Sequence, residues 1–241
     1  MKSVVLDNVD HKDLRVRTDH CAEFGDAIQS CVVFPSEFAY IQREYPIVFG
    51  RDAGGEYRAM ALLGLDEGEN LFLDENGWNA RYVPAIQARG PFLIGLQKSD
   101  GEEHPHLVVN VDLDNPRISD SEGKPVFLPH GGNSPYLEHV NRLLQIIHQG
   151  EQVRKRMFDE FEQAGLIEGM EVEVALDDQT KYKLTGFSTI SQERLADLDS
   201  KTLERLNRSG FLHLAMLVVT SLGNVSWLIE LKNRKRAAEG A

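Results

Sequence analysis

The chain of 241 residues reads as an α+β protein: a mostly antiparallel sheet in the N-terminal half, a long helix at about 134–165, then a hairpin and a helical C-terminal end. Three features lead there. Short apolar runs separated by Gly, Asp and Pro recur between residues 31 and 111, the pattern of strands joined by tight turns. After residue 134 the apolar spacing changes to three and four, the period of a helix face. Hydrophobic residues make up 41% and charged residues 27%, enough apolar mass for a packed core and too much for a disordered chain.

The first 30 residues are charged and aperiodic, and are read as surface coil with one short strand. Residues 31–34 are apolar and stop at Pro35; residues 47–49 stop at Gly50, and 52–55 (Asp-Ala-Gly-Gly) form a turn. Residues 57–65 resume, 66–68 turn, and 71–73 lead into the Asp-Glu-Asn-Gly turn at 74–77. Runs at 92–96 and 107–111 repeat the pattern. Residues 112–134, rich in Asp, Pro and Gly, form a polar loop. It is the one place that offers a boundary in what otherwise reads as a single integrated domain over 1–241. Ser134 before Pro135 is an N-cap followed by proline at the first helical position. Apolar residues at 136, 140, 143 and 147, then 153, 157, 161 and 164, share one helix face; Gly150 kinks or breaks it and Gly165 ends it. Residues 171–176 alternate strictly, 177–179 turn, and 182–187 return as a hairpin. Ser191 caps the next helix, and Leu195, Leu198, Leu203 and Leu206 continue into short helices. Residues 210–222 are apolar on nearly every side and predict a buried helix, which Gly223 and Asn224 break before a last helix through Trp227, Leu228 and Leu231.

The formal charge is −12 and lies toward the front: residues 1–120 hold 11 basic and 21 acidic residues, residues 121–241 hold 15 and 17. Such a chain repels nucleic acid, which is therefore not an expected partner. The one basic cluster, Lys232, Arg234, Lys235 and Arg236, reads as a helix end whose cations complement the dipole and fray into solvent. No continuous apolar run approaches the roughly 18–20 residues of a bilayer span, so no transmembrane segment is expected. Asp7 comes too early for a signal-peptide core, so a cytoplasmic location is expected. Two cysteines are too few for a disulfide framework: both are read as reduced thiols, with Cys31 in the core. Cys21 beside His20 and Asp19 superficially resembles a nucleophile and base, but sequence neighbours rarely face one another productively. No dinucleotide fingerprint, phosphate loop or nucleophile elbow occurs, and no cofactor is expected.

Five segments point to a family. They are 40–49 (Tyr-Ile-Gln-Arg-Glu-Tyr-Pro-Ile-Val-Phe), 63–72 (Leu-Gly-Leu-Asp-Glu-Gly-Glu-Asn-Leu-Phe), 78–85 (Trp-Asn-Ala-Arg-Tyr-Val-Pro-Ala) with Gly90-Pro-Phe92, 184–195 and 221–224. In this order, from about residue 30 to 232, the chain resembles the bacterial SapC-like family, of the surface-layer-locus type and not the peptide-transporter permease of the same name. The front motif is the specific part. The resemblance implies association with a surface-layer system or with modifying enzymes, since other members accompany flavin-dependent halogenases, cupin-like oxygenases and outer-membrane receptors. It supplies no catalytic residues to carry over.

The motif residues Arg43, Glu44, Tyr45, Asn70, Trp78, Arg81 and Tyr82 combine guanidinium forks, which bind carboxylates, with rings that stack on flat groups and cations. If they converge, they form a pocket for a peptide, an aromatic ring or a carboxylate; otherwise they stitch loops to the sheet. His104, His106 and His130 with Asp112 and Asp114 are the low-ranking metal candidates, in an order unlike a facial triad. Acid pairs such as Glu102 with Glu103, and Asp177 with Asp178, fall in turns and read as solvated. The leucine-rich end, 195–231, is core or a face for self-association. These observations lead to a non-catalytic binding or accessory protein with a protein, peptide or small-molecule partner, leaving a homo-oligomer open. The alternative is a metal-dependent, oxygenase-like enzyme using the His104/His106 region.

Overall fold

The computed structural model describes residues 2–97, 106–175 and 181–239. Its larger sheet has five antiparallel strands in the spatial order Ile167–Ala175, Lys181–Ile190, Ile47–Arg51, Tyr57–Leu62 and Ser30–Val32. The hairpin predicted in the second half therefore joins the sheet of the first half; its turn lies outside the described residues. Ile47 to Phe49 are fully buried, because this central strand is covered on both faces, and such strands read as unbroken apolar runs. A second sheet places His106–Asp112 between Ser3–Val5 and Phe92–Gln97. Residues 112–134 are more structured than the polar loop expected. Two short strands within them, Ile118–Ser119 and Lys124–Pro125, flank Arg15–Val16.

The long helix is continuous over Pro135–Gln163, with Ser134 Oγ accepting from Leu137 N at 3.2 Å. At 29 residues it is about 44 Å long, at roughly 1.5 Å per residue. Its first half packs Leu137, Val140 and Leu144 with Phe92, Val111 and Val126. Its second half packs Met157, Phe158 and Phe161 with Tyr45, Phe49 and the larger sheet. One helix thus spans two apolar clusters. Gly150 neither kinks nor breaks it. It marks the closest approach of another segment: a Cβ there would lie 2.5 Å from Phe34 Cβ and 2.7 Å from Ser36 Oγ.

Four helices close the chain: Gln192–Ala196, Ser200–Ser209, Phe211–Ser221 and Asn224–Glu239. The break expected at Gly223 and Asn224 is there. By length and composition alone, Phe211–Ala238 is long and apolar enough to cross a membrane, although it holds no unbroken apolar run of that length; 22% of its most apolar window is buried. Phe211, Ala215, Val218 and Leu228 sit in the larger core. The basic end does not simply fray. Lys232 is buried and its Nζ donates to Asp66 Oδ2 at 2.6 Å and Glu69 Oε1 at 2.7 Å, while Lys235 Nζ reaches Glu69 Oε1 at 3.0 Å. These bonds fasten the last helix to the loop around residues 65–70.

Candidate functional site

The front motif folds around a buried carboxylate. Glu37 accepts from Phe34 N at 3.0 Å, Tyr82 Oη at 2.8 Å and Ala85 N at 2.9 Å. Burial pushes its pKa up, and the three donors only partly oppose this. Tyr82 stacks on Tyr40 with ring centroids 5.1 Å apart. Tyr45 is 0% exposed; its hydroxyl donates to Tyr82 O at 2.7 Å and accepts from Trp78 Nε1 at 2.9 Å. Burial pushes the Tyr45 phenol up. Glu44 accepts from Arg81 N at 3.0 and 3.1 Å. Asn70 is buried: its Nδ2 donates to Asp26 O at 2.9 Å and its Oδ1 accepts from Phe72 N at 3.0 Å. Tyr45 and Asn70 thus commit these polar atoms inside the fold, and neither is among the residues that line the two clefts meeting at Arg81.

The remaining motif residues separate. Arg43, Glu44, Trp78 and Arg81 line one open cleft of about 610 Å³, while Tyr82 turns to a second cleft on the other side of Arg81. The open cleft is completed by Phe72, Asn79 and Ala80 and, from the last helix, by Asn224 and Trp227, none of which is among the site candidates drawn from the sequence. Asn224 Nδ2 donates to Gln42 O at 2.8 Å and Tyr45 O at 3.2 Å, which fixes the start of the last helix against the motif. Trp227 is 38% exposed, and the Arg234 guanidinium lies 5.0 Å from its ring centre. The chain has two tryptophans, 149 positions apart, and both face this cleft. That rarity was the one available signal for Trp227.

The histidine and aspartate candidates do not gather. His104 lies outside the described residues. His106 and Asp112 stand at opposite ends of one extended strand, about 20 Å apart at roughly 3.3 Å per residue, too far to share a metal. Asp112 Oδ1 accepts from Lys2 N at 3.1 Å and Asp114 N at 3.2 Å. His130 is exposed in a loop. Among the described residues no group of three or more His, Cys, Asp or Glu is placed to hold a metal ion. Cys31 is buried, and desolvation pushes its thiol pKa up, as fits a core residue. Cys21 N donates to Asp26 Oδ2 at 3.1 Å.

The family model described as SapC matches residues 6–228. No curated protein and no solved structure matches the chain.

Proposed function

The chain belongs to the SapC family, and we propose that it is a non-catalytic binding protein whose tryptophan cleft takes up an acidic, aromatic-bearing segment of a partner protein. One observation carries this: both tryptophans, with Arg43 and Arg81, meet in a single open cleft. Indole faces stack on flat side chains and cations, and guanidinium forks select carboxylates. Tryptophan and arginine are also the residue types that dominate binding energy at protein interfaces. The cleft is broad and open, the shape of a surface that receives a chain segment.

The test is a synthetic peptide array probed with the full chain, followed by fluorescence titration of the best peptides. Peptides with Asp or Glu near an aromatic residue are the expected binders. Trp227→Ala and Arg43→Ser are each expected to weaken them about tenfold, the scale of one interface contact worth about 1.4 kcal/mol. Both side chains are exposed, so the fold survives. Peptide binding unchanged in the double variant, or no binding at all, overturns the reading.

A further inference from the structure

We propose that the second cleft, on the far side of Arg81, is a binding site for a small organic anion bearing a carboxylate or phosphate group. This does not rest on the function proposed above. The cleft measures about 370 Å³ and takes Arg17, Arg81, Arg117, Lys124, His20 and His139 into its lining, with no aspartate or glutamate among the described residues. That is a notable concentration in a chain of net charge −12. Two other buried or half-buried cations are answered by carboxylates, Arg58 by Asp52 and Glu151, and Lys232 by Asp66 and Glu69. Neither Arg17 nor Lys124 forms an ion pair among the described residues.

Two of the cations, Arg17 and Arg117, are held in place before any ligand arrives. Arg17 Nη2 donates to Pro116 O at 2.6 Å, and its guanidinium lies 4.6 Å from the Phe24 ring centre. Arg117 lies at the same distance from that ring, donates to the Asp19 carbonyl, and pairs with the fully buried Asp26 at 2.7 Å. Asp26 therefore balances Arg117 and leaves the charges of Arg17 and Lys124 to the cleft. Preorganised donors of this kind lower the ordering cost of binding. His139 reports the same field: burial, then the charges of Arg142 and Lys124, push its pKa down.

The pair His20 and Asp26 adds an acceptor. His20 Nδ1 lies 3.1 Å from Asp26 Oδ2 and 3.5 Å from Arg117 Nη2, and the shorter contact suits the tautomer that donates from Nδ1 to Asp26. Nε2 is then an acceptor, suited to a hydroxyl of the ligand. Tyr82, Val83, Tyr136 and Leu143 supply an apolar wall. The volume is at the small end of ligand sites, which run from about 300 to 1,000 Å³. The ligand class is thus a small carboxylate or phosphate with a hydroxyl and a short apolar body.

Calorimetric titration of the full chain with citrate and with inorganic pyrophosphate, at constant ionic strength set by chloride, tests this. Saturable one-site binding of at least one anion is expected, and which one saturates separates the carboxylate source from the phosphate source. Lys124→Ser is expected to weaken it about tenfold and His20→Gln several-fold, while Arg43→Ser, which touches only the tryptophan cleft, leaves it unchanged. Arg81 lines both clefts and is left intact, so failure here and failure of the peptide test are separable. If neither anion saturates below about 10 mM, or Lys124→Ser binds as well as wild type, the proposal is wrong. Circular dichroism melts confirm the fold of each variant; if Lys124→Ser fails to fold, Lys124→Gln and His20→Gln decide.

Discussion

The two clefts that meet at Arg81 are built on opposite principles. Behind the tryptophan cleft polar groups answer one another: Trp78 bonds Tyr45, Tyr45 bonds the Tyr82 carbonyl, and Tyr82, whose ring lines the basic cleft, bonds Glu37. Its Arg81 sits against Glu44, whose carboxylate accepts the Arg81 amide. In the basic cleft Arg17 and Lys124 have no carboxylate answer among the described residues. The first rests on a closed hydrogen-bond network; the second is lined by cations without a carboxylate partner among the described residues. A conspicuous linear motif can therefore mark the fastening of a site more than the site itself.

The sharpest way to break this contrast is Glu37→Ala. It orphans the amides of Phe34 and Ala85 and the Tyr82 hydroxyl at once. Unmet buried donors cost about 1–3 kcal/mol each, so a loss of about 3–4 kcal/mol is expected in urea unfolding at neutral pH. A loss under about 1 kcal/mol would mean that the network under the tryptophan cleft is not structural.

Lys232→Met comes next. It leaves Glu69 buried with Lys235 as its one remaining cation partner among the described residues, and unties the helix that carries Trp227 and Asn224. The expected loss is about 2–3 kcal/mol, below that for an isolated buried pair because Asp66 reaches solvent. The pH dependence has a definite sign. Burial raises the Glu69 pKa, but Lys232 and Lys235 outweigh it and hold the folded value below 4.5. Its contribution is present above the unfolded value and is lost as pH falls through the folded one. The deficit of the variant is therefore largest above about pH 4.5 and narrows in acid. Glu37, with no cation bonded to it among the described residues and a raised folded value, behaves oppositely: its contribution is full below 4.5 and fades as pH rises through the folded value. Urea midpoints of wild type, Lys232→Met and Glu37→Gln across pH 4–8 check both slopes.

What the sequence made legible follows how local each cause is. The long helix was read at 134–165 and stands at Pro135–Gln163, since its cap and apolar face are written in consecutive residues. Gly150 has the sequence appearance of a helix breaker; only the arrival of Phe34 shows it to be a contact point. Lys232 and its neighbours have the composition of a fraying end, and the pairing that holds them lies on a loop more than 160 positions earlier. Trp227 and Asn224 completed the tryptophan cleft from the other end of the chain for the same reason. Nothing local marks Lys124 as a neighbour of Arg17 and His20, because two segments more than 100 positions apart bring them together.

The smallest expected effect bears most directly on the contrast. If Lys124 stood in a scaffold, removing it would cost stability. In a cleft of unmatched cations its removal relieves repulsion instead. Lys124→Ser is therefore expected to change stability by less than about 0.5 kcal/mol, and toward stabilisation at low salt. Exposed charges are screened over about 10 Å at 0.1 M salt, so the gain should shrink when chloride is raised. Melts at low and high chloride read this out. A salt-independent loss of about 1 kcal/mol or more would place Lys124 among the fold's structural contacts and erase the difference between the two clefts. A small gain that added pyrophosphate or citrate reverses, by stabilising wild type more than the variant, would tie the unmatched charge to an anion that binds there.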